Sequence, residues 1–173
     1  MSEEARQRFV DAWGAMGALW GINRSVARVH ALLMASDGAV SLDEIAERLA
    51  ISKGNASMSL RELRTFGVVR QVQVPGDRRD WYVSEPDVWT MFFRILSERK
   101  RRELDPAVAA VRTLLEETEA DGAVRKRFQQ MADLLDSLET VSGQVLRSPE
   151  AARTTLQVIA RVSRAASPKG RKK

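Results

Sequence analysis

The sequence predicts a mainly α-helical chain with one small β-hairpin. Two observations support this fold class. Over most of the 173 residues, apolar positions recur at intervals of three and four, which is typical of amphipathic helices. Only residues 68–83 alternate β-branched and polar residues on either side of a turn, which is typical of two paired strands. The hairpin directly follows two short helices and is flanked by longer helical extensions on both sides.

Composition excludes several classes of protein. A hydrophobic content of 44 % is sufficient for a core, and the absence of cysteine excludes disulfides, thiol chemistry and cysteine–zinc sites. The first residues are charged and do not resemble a signal peptide, and no apolar run approaches the roughly 18 residues of a membrane span. We expect a soluble, cytoplasmic, nucleoid-associated protein with no membrane partner.

The net charge of +5 is unevenly distributed. The last ten residues, 164–173, contain five basic residues and no acid, and therefore account for the whole excess. Residues 52–82 contain six basic and three acidic residues. This local surplus is the modest electrostatic footprint that DNA binding requires.

Residues 3–20 predict a first helix, on which Phe9, Trp13, Met16 and Trp20 form one apolar face. We expect this face to pack on the C-terminal helices. The alternatives are a dimer interface or the wall of a ligand pocket.

A second helix is predicted over residues 23–35, and Ile22, Val26, Val29 and Leu33 form its inward face. It carries the single histidine, His30, which we interpret as structural or simply exposed. One histidine without cysteine offers no Cys/His metal cluster and no Cys–His nucleophile pair. We therefore expect no catalytic residues, no metal and no cofactor, and do not expect an enzyme.

A short helix over residues 41–50 begins with Ser41 and Glu44, the pattern of a capping box. Ile45, Ala46 and Leu49 point inward, and Ala46 is small enough to let a second helix cross closely. The turn that follows has Ala50 where glycine often adopts a positive φ. We expect Ala50 either to adopt another turn geometry or to tolerate strain.

The next helix spans residues 52–63 and has Ser52 as its N-cap. Its inward positions are Ala56, Ser59, Leu60 and Leu63, of which Ser59 is unexpectedly polar. The remaining face is mostly short or polar, which suits approach to base edges. We interpret this stretch as the recognition helix of a helix-turn-helix.

The hairpin has the layout of a wing. Val68, Arg70, Val72 and Val74 alternate along the first strand, residues 75–77 form the turn, and residues 80–83 return. Arg78 and Arg79 lie near the tip, where they could contact the minor groove or its phosphates. The fold predicted is a winged helix-turn-helix with N- and C-terminal helical extensions.

Beyond the hairpin, a long helix begins at residue 87, and its basic run 99–102 is more typical of a solvated face than of a DNA contact. Residues 123–146 have heptad-like apolar spacing, and a last helix follows Pro149. The tail, residues 164–173, is expected to be disordered.

Three stretches, SLDEIAERLAISKGNASMSLREL (41–63), FGVVRQVQVPGDRRDWY (66–82) and FRILSERKRREL (93–104), resemble MarR-like winged-helix regulators, and more closely their GbsR-type branch. With the helix at 22–35, the similarity covers about half the chain. It implies a homodimer held by N- and C-terminal helices, acting as a repressor on a palindromic operator. The resemblance also implies that the protein could act as some members of this branch do, which control uptake or synthesis of osmoprotectants such as glycine betaine and respond to choline.

The predicted domains are an N-terminal dimerisation helix (1–21), the DNA-binding domain (22–86), a C-terminal dimerisation region (87–163) and the tail. The predicted contacts to double-stranded DNA are Ser52, Lys53, Asn55, Ser57, Met58, Arg61, Arg78 and Arg79. Five aromatic residues could form a cage for a quaternary ammonium effector by cation–π attraction: Trp13, Trp20, Trp89, Phe92 and Phe93. Ordinary packing at the dimer seam is the favoured interpretation of these rings.

Two other functions fit parts of the sequence. A sequence-nonspecific architectural DNA-binding protein would use the basic tail and the wing. An interaction protein with no DNA role would show no salt-dependent DNA binding.

Overall fold

The computed structural model describes residues 1–117 and 122–166. The elements, in chain order, are α1 (Glu3–Leu19), α2 (Arg24–Met34), β1 (Val40–Ser41), α3 (Leu42–Leu49), α4 (Lys53–Thr65), β2 (Val69–Val74), β3 (Asp77–Ser84), α5 (Val88–Arg99), a π-helical segment (Lys100–Leu104), α6 (Asp105–Glu117), α7 (Ala123–Arg147) and α8 (Pro149–Ala166). The chain folds into two compact units, one spanning Met1–Ile95 and the other starting at Leu96. The predicted fold class, mainly helical with a small antiparallel sheet, is confirmed.

The sheet has three strands in the order β1-β3-β2, all antiparallel. Strand β3 begins at Asp77, three residues earlier than the sequence predicted. The additional strand β1 pairs Val40 with Tyr82 and Ser41 with Trp81. A two-residue strand shows no detectable alternation, so no sequence pattern could predict it. This pairing fixes the hairpin to the start of α3.

The core of the first unit lies between α2, α3, α4 and the sheet. The predicted inward residues of α2 and α3 are buried, except Ile22, which precedes α2 and packs partly buried against the core. Val29 and Ile45 are fully enclosed. Leu60 from α4 and Val68 from the start of the hairpin reach the same cluster. The apolar periodicity read from the sequence therefore identifies the residues that place α4 on the domain.

Helix α1 packs against α2 within the first unit. Its apolar face thus has a partner inside the first unit, and the expected packing on the C-terminal helices stays a prediction. A Cβ atom at Gly17 would lie only 2.6 Å from the Cβ of Ala27, so glycine is needed where the two helices approach. Phe9 and Trp13 pack against the core, whereas Trp20 is 56 % exposed.

His30 lies in this α1–α2 contact and is buried. Its ring meets Trp13 edge-on, with ring centroids 6.3 Å apart. Burial lowers the pKa of His30 to about 4, so the imidazole is neutral at pH 7. The histidine acts as a core side chain.

In the second unit, Arg112 on α6 forms ion pairs with Asp136, at 2.7 Å, and Glu139, at 3.1 Å, and so ties α6 to α7. Val108 and Ala132 are buried. Several large apolar side chains on the last two helices are at least 44 % exposed: Val124, Met131, Leu134, Leu138 and Val141 on α7, and Leu156, Val158, Ile159 and Val162 on α8. Exposed apolar surface of this extent marks an interaction site.

Helix α8 continues to Ala166, three residues into the segment predicted as a tail. The remaining tail residues, 167–173, lie outside the described residues. Among the helices that the structure does describe, none is both long and apolar enough to cross a membrane.

Candidate nucleic-acid interface

Helices α3 and α4 form the helix-turn-helix. The Ser41 hydroxyl accepts a hydrogen bond from the backbone N–H of Glu44 and caps α3, and the Ser52 hydroxyl caps α4 by accepting from the N–H of Asn55 at 3.1 Å. Between the helices, Ala50 has a φ of 51°. It adopts the left-handed conformation that normally favours glycine, so the strained alternative is the one observed.

The inward face of α4 matches the prediction. Ala56, Ser59, Leu60 and Leu63 are each at most 4 % exposed. The polar position is explained by a neighbour, because the Ser59 hydroxyl donates to the side-chain oxygen of Asn55. A buried hydroxyl with a partner avoids the cost of an unsatisfied polar group.

Asn55 is turned towards the domain rather than outward. Its amide nitrogen donates to the Ser25 hydroxyl on α2 at 3.3 Å, and its oxygen accepts from Ser59. The side chain is half-buried. Both ends of the amide are therefore engaged with protein groups in this structure, and contact of Asn55 with base edges stays a prediction.

The outward face of α4 carries Met58, which is 71 % exposed, together with Arg61 and the half-buried Ser57. Within the described residues, no side-chain hydrogen bond or ion pair engages the Arg61 guanidinium. At the N-terminus of α4, exposed Lys53 pairs with Asp43 of α3 at 2.7 Å. The four side chains follow one outward-facing surface of the recognition helix.

The two arginines of the wing have different surroundings. Arg79 donates to Asp77, with its terminal nitrogen 2.7 Å from the carboxylate, lies 3.8 Å from Glu44, and stacks 4.7 Å above the Trp81 ring. Hydrogen bonds from the Arg79 side chain and backbone lower the pKa of Asp77 to about 2. Arg78 is exposed, and no side-chain partner holds it in the part of the chain that the structure describes.

The basic run after α5 pairs with nearby acids. Arg99 contacts Glu103 at 2.9 Å, and Arg101 and Arg102 both contact Glu98 at 2.6 Å. Lys100 pairs with Asp105. These intramolecular pairs fit the expected solvated face.

Four of the five candidate effector residues fall into two sets of ring contacts, and the fifth, Trp20, is exposed. Trp13 contacts Phe9 and His30. Trp89, Phe92 and Phe93 contact one another, with centroids 5.4–6.5 Å apart. Trp13 is thus occupied in the α1–α2 core, and the second set is the more compact aromatic cluster.

Residues 20–80, which run from the end of α1 into the wing, match the model of the MarR family. The chain resembles the MarR-like winged-helix regulators. It is 26 % identical over 159 residues to the HTH-type transcriptional repressor GbsR of Bacillus subtilis (strain 168), covering 88 % of each chain. The GbsR-type resemblance is thereby confirmed. Members of this family are transcriptional regulators and not enzymes, as the sequence led us to expect.

Two further similarities agree with this assignment. The regulator is 28 % identical over 139 residues to the HTH-type transcriptional regulator MmpR5 of Mycobacterium tuberculosis (strain ATCC 25618 / H37Rv), covering 80 % of this chain and 82 % of that one. A crystal structure of a transcriptional regulator superposes with a TM-score of 0.63 at 26 % identity, over 82 % of this chain and 95 % of the other. The protein is therefore a DNA-binding regulator.

Proposed function

We propose that the protein is a cytoplasmic, nucleoid-associated homodimeric repressor that binds a palindromic operator. The observation that carries this proposal is the outward face of α4, on which Met58 and Arg61 are solvent-exposed beside a wing that presents Arg78. A recognition helix with exposed, unengaged side chains can enter the major groove. The relative GbsR is named a transcriptional repressor.

Within this proposal, Ser57, Met58 and Arg61 face base edges. The exposed Met58 thioether chain suits contact with a thymine methyl group, and the Arg61 guanidinium suits a bidentate contact with guanine. Ser52 and Lys53 lie at the N-terminus of α4, where helix dipole and backbone N–H groups favour a phosphate. The Lys53–Asp43 pair is exposed and can exchange for such a phosphate at little cost.

Asn55 and Arg79 receive different roles from those first predicted. Asn55 is bonded to Ser25 and Ser59, and Arg79 is bonded to Asp77. We therefore assign them to holding α4 and the wing in place, and leave the tip contact to Arg78.

The test is operator binding of Arg61→Ala at fixed salt, after the operator has been selected from random duplexes. A lost bidentate guanine contact should cost about 1–3 kcal/mol and relax preference at one base position. Arg8→Ala, which removes an exposed arginine from α1, is the matched control. Unchanged affinity and preference would remove Arg61 from the reading set, and equal recovery of all duplexes would indicate the sequence-nonspecific architectural mode.

The dimer is proposed to form through the exposed apolar face of α7. Val124, Met131 and Leu138 recur every seven residues, and Leu134 and Val141 do the same, which is the spacing of a coiled-coil seam. Two recognition helices on one face of the duplex require half-sites centred about 10 bp, or a multiple of that, apart.

Light scattering at micromolar concentration tests the dimer. Leu138→Lys should yield a monomer, and because Leu138 is already 47 % exposed the substitution should not unfold the protomer. Thr140→Lys, on the opposite side of α7, is the control. A monomeric wild-type protein would contradict the proposal.

A small effector that releases the repressor is the last part of the proposal. Such an effector can shift the equilibrium between the DNA-binding state and the released state only by the difference in its affinity for these two states. The cluster of Trp89, Phe92 and Phe93 is the candidate for cation–π contact with a quaternary ammonium group. Thermal shift and tryptophan quenching with choline and glycine betaine test it, and the absence of any response would leave hydrophobic packing as the role of these rings.

A further inference from the structure

Arg94, on α5, bonds to the ends of both DNA-reading elements. Its Nη1 donates to the carbonyl oxygen of Gly67 at 2.6 Å and to Oε2 of Glu85 at 2.7 Å. Gly67 is the second residue after α4, and Glu85 is the first residue after β3. One guanidinium therefore joins the exit of the recognition helix, the base of the wing and α5.

The surrounding backbone makes this junction continuous. Gly67 has a φ of 70°, and a Cβ atom there would lie 3.4 Å from Cδ of Arg94. The N–H of Val68 donates to Leu63 in α4 at 3.1 Å, and the carbonyl of Val68 accepts from the N–H of Glu85 at 2.9 Å. The turn after α4 and the end of β3 are thus bonded to each other directly and through Arg94.

The solvent exposure of the Arg94–Glu85 ion pair favours a role in positioning over a contribution to stability. The Arg94 side chain is 46 % exposed and that of Glu85 is 18 % exposed. Solvent screens a pair of this kind, so its net effect on unfolding is small. A charge-assisted bond to a carbonyl and a carboxylate nevertheless fixes direction, because both acceptors must lie at set positions around one planar group.

We propose that Arg94 is a positioning residue for DNA binding, which holds the exit of the recognition helix and the base of the wing at a fixed spacing. This inference rests on the proposed function. Major-groove and wing contacts can form together only if α4 and the hairpin keep their relative placement. Arg94 sets that placement without itself touching DNA. It also connects the exit of the recognition helix and the base of the wing to α5.

The experiment compares Arg94→Ala, Arg94→Lys and Glu85→Ala in the full-length protein, with affinity for the selected operator measured across a salt series. Positioning predicts that Arg94→Ala and Glu85→Ala each weaken binding about fivefold, and that the double variant is no weaker than either one, since they break the same junction. The slope of log K against log salt should stay unchanged, because no phosphate contact is lost. Lysine should not restore affinity, since its ammonium group does not hold two donor hydrogens at fixed directions in one plane, as Nη1 of Arg94 does.

A direct phosphate contact predicts the opposite pattern and would overturn the proposal. Arg94→Ala would then reduce the salt slope by about one, lysine would rescue binding, and Glu85→Ala would tighten it by removing a negative charge near DNA. Unchanged affinity in both alanine variants would overturn it equally. Glu85→Ala decides the matter alone if Arg94→Ala does not fold, and Arg8→Ala controls for the loss of one charge. A wild-type protein that binds no duplex would instead refute the proposed function.

Discussion

The side-chain amide of Asn55 on α4 donates a hydrogen bond to the hydroxyl oxygen of Ser25 on α2, 3.3 Å away. The same side chain accepts from Ser59, so one residue satisfies a buried hydroxyl and joins two helices. This bridge explains why a polar residue, Ser59, is accommodated on the buried face of α4.

Replacing Asn55 by alanine should therefore act on stability. The variant loses the bond to Ser25 and leaves the Ser59 hydroxyl without this partner, which should cost about 1–3 kcal/mol in urea unfolding. Ser25→Ala should be partly non-additive with it. Ser57→Ala, on the outward side of the same helix, is the control. Full stability together with a lost preference at one base pair would instead restore Asn55 as a base-reading residue.

Alanine variants of the two wing arginines should differ in how their affinity for DNA depends on salt concentration. Arg78→Ala should lower the slope of log K against log salt by about one, since an exposed side chain at the tip is free to neutralise a phosphate. Arg79→Ala should weaken binding with little change in slope, because Arg79 is paired with Asp77 and stacked on Trp81. Identical slopes for both variants would contradict this division of roles.

Ala50→Gly should stabilise the protein. Alanine at a φ of 51° carries a steric cost that glycine avoids, and after allowing for the greater freedom of glycine in the unfolded chain the gain should be about 1 kcal/mol. Ala15→Gly, at an exposed interior position of α1, should instead lose about 1 kcal/mol. The midpoints of chemical unfolding measure the change in stability of both variants. A less stable Ala50→Gly variant would be inconsistent with strain at position 50.

His30 should make stability depend on pH. Burial lowers its pKa to about 4 in the folded protein, against 6.5 for a solvent-exposed imidazole, so the unfolded chain binds the proton first as pH falls. Stability is fully present above pH 6.5 and should decline by about 3 kcal/mol in total between pH 6.5 and 4. His30→Gln, which does not titrate, should show a flatter profile in this window. Parallel profiles would exclude His30 as the cause.

The periodic positions were predictable because they are set by local geometry. Residues three and four apart share a helix face, so the burial of Val29, Ile45 and Leu60 followed from spacing alone. The N-caps Ser41 and Ser52 and the turn before Asp77 were also predictable, since each depends on neighbours within a few residues. The helix-turn-helix and wing were identified on this basis.

The orientation of individual polar side chains depended on residues distant in sequence. Asn55 lies 30 positions from Ser25, and Arg94 lies 27 from Gly67, so no local pattern could pair them. The partner of α1 was likewise not predictable, because an apolar helix face can pack on any apolar surface. The close approach of α1 to α2 at Gly17 is visible only in the tertiary structure. Sequence by itself determined which residues form the reading elements. Only the tertiary structure decided which of their polar groups are already bonded within the protein and which, like Arg61 and Arg78, face solvent and are proposed to contact DNA.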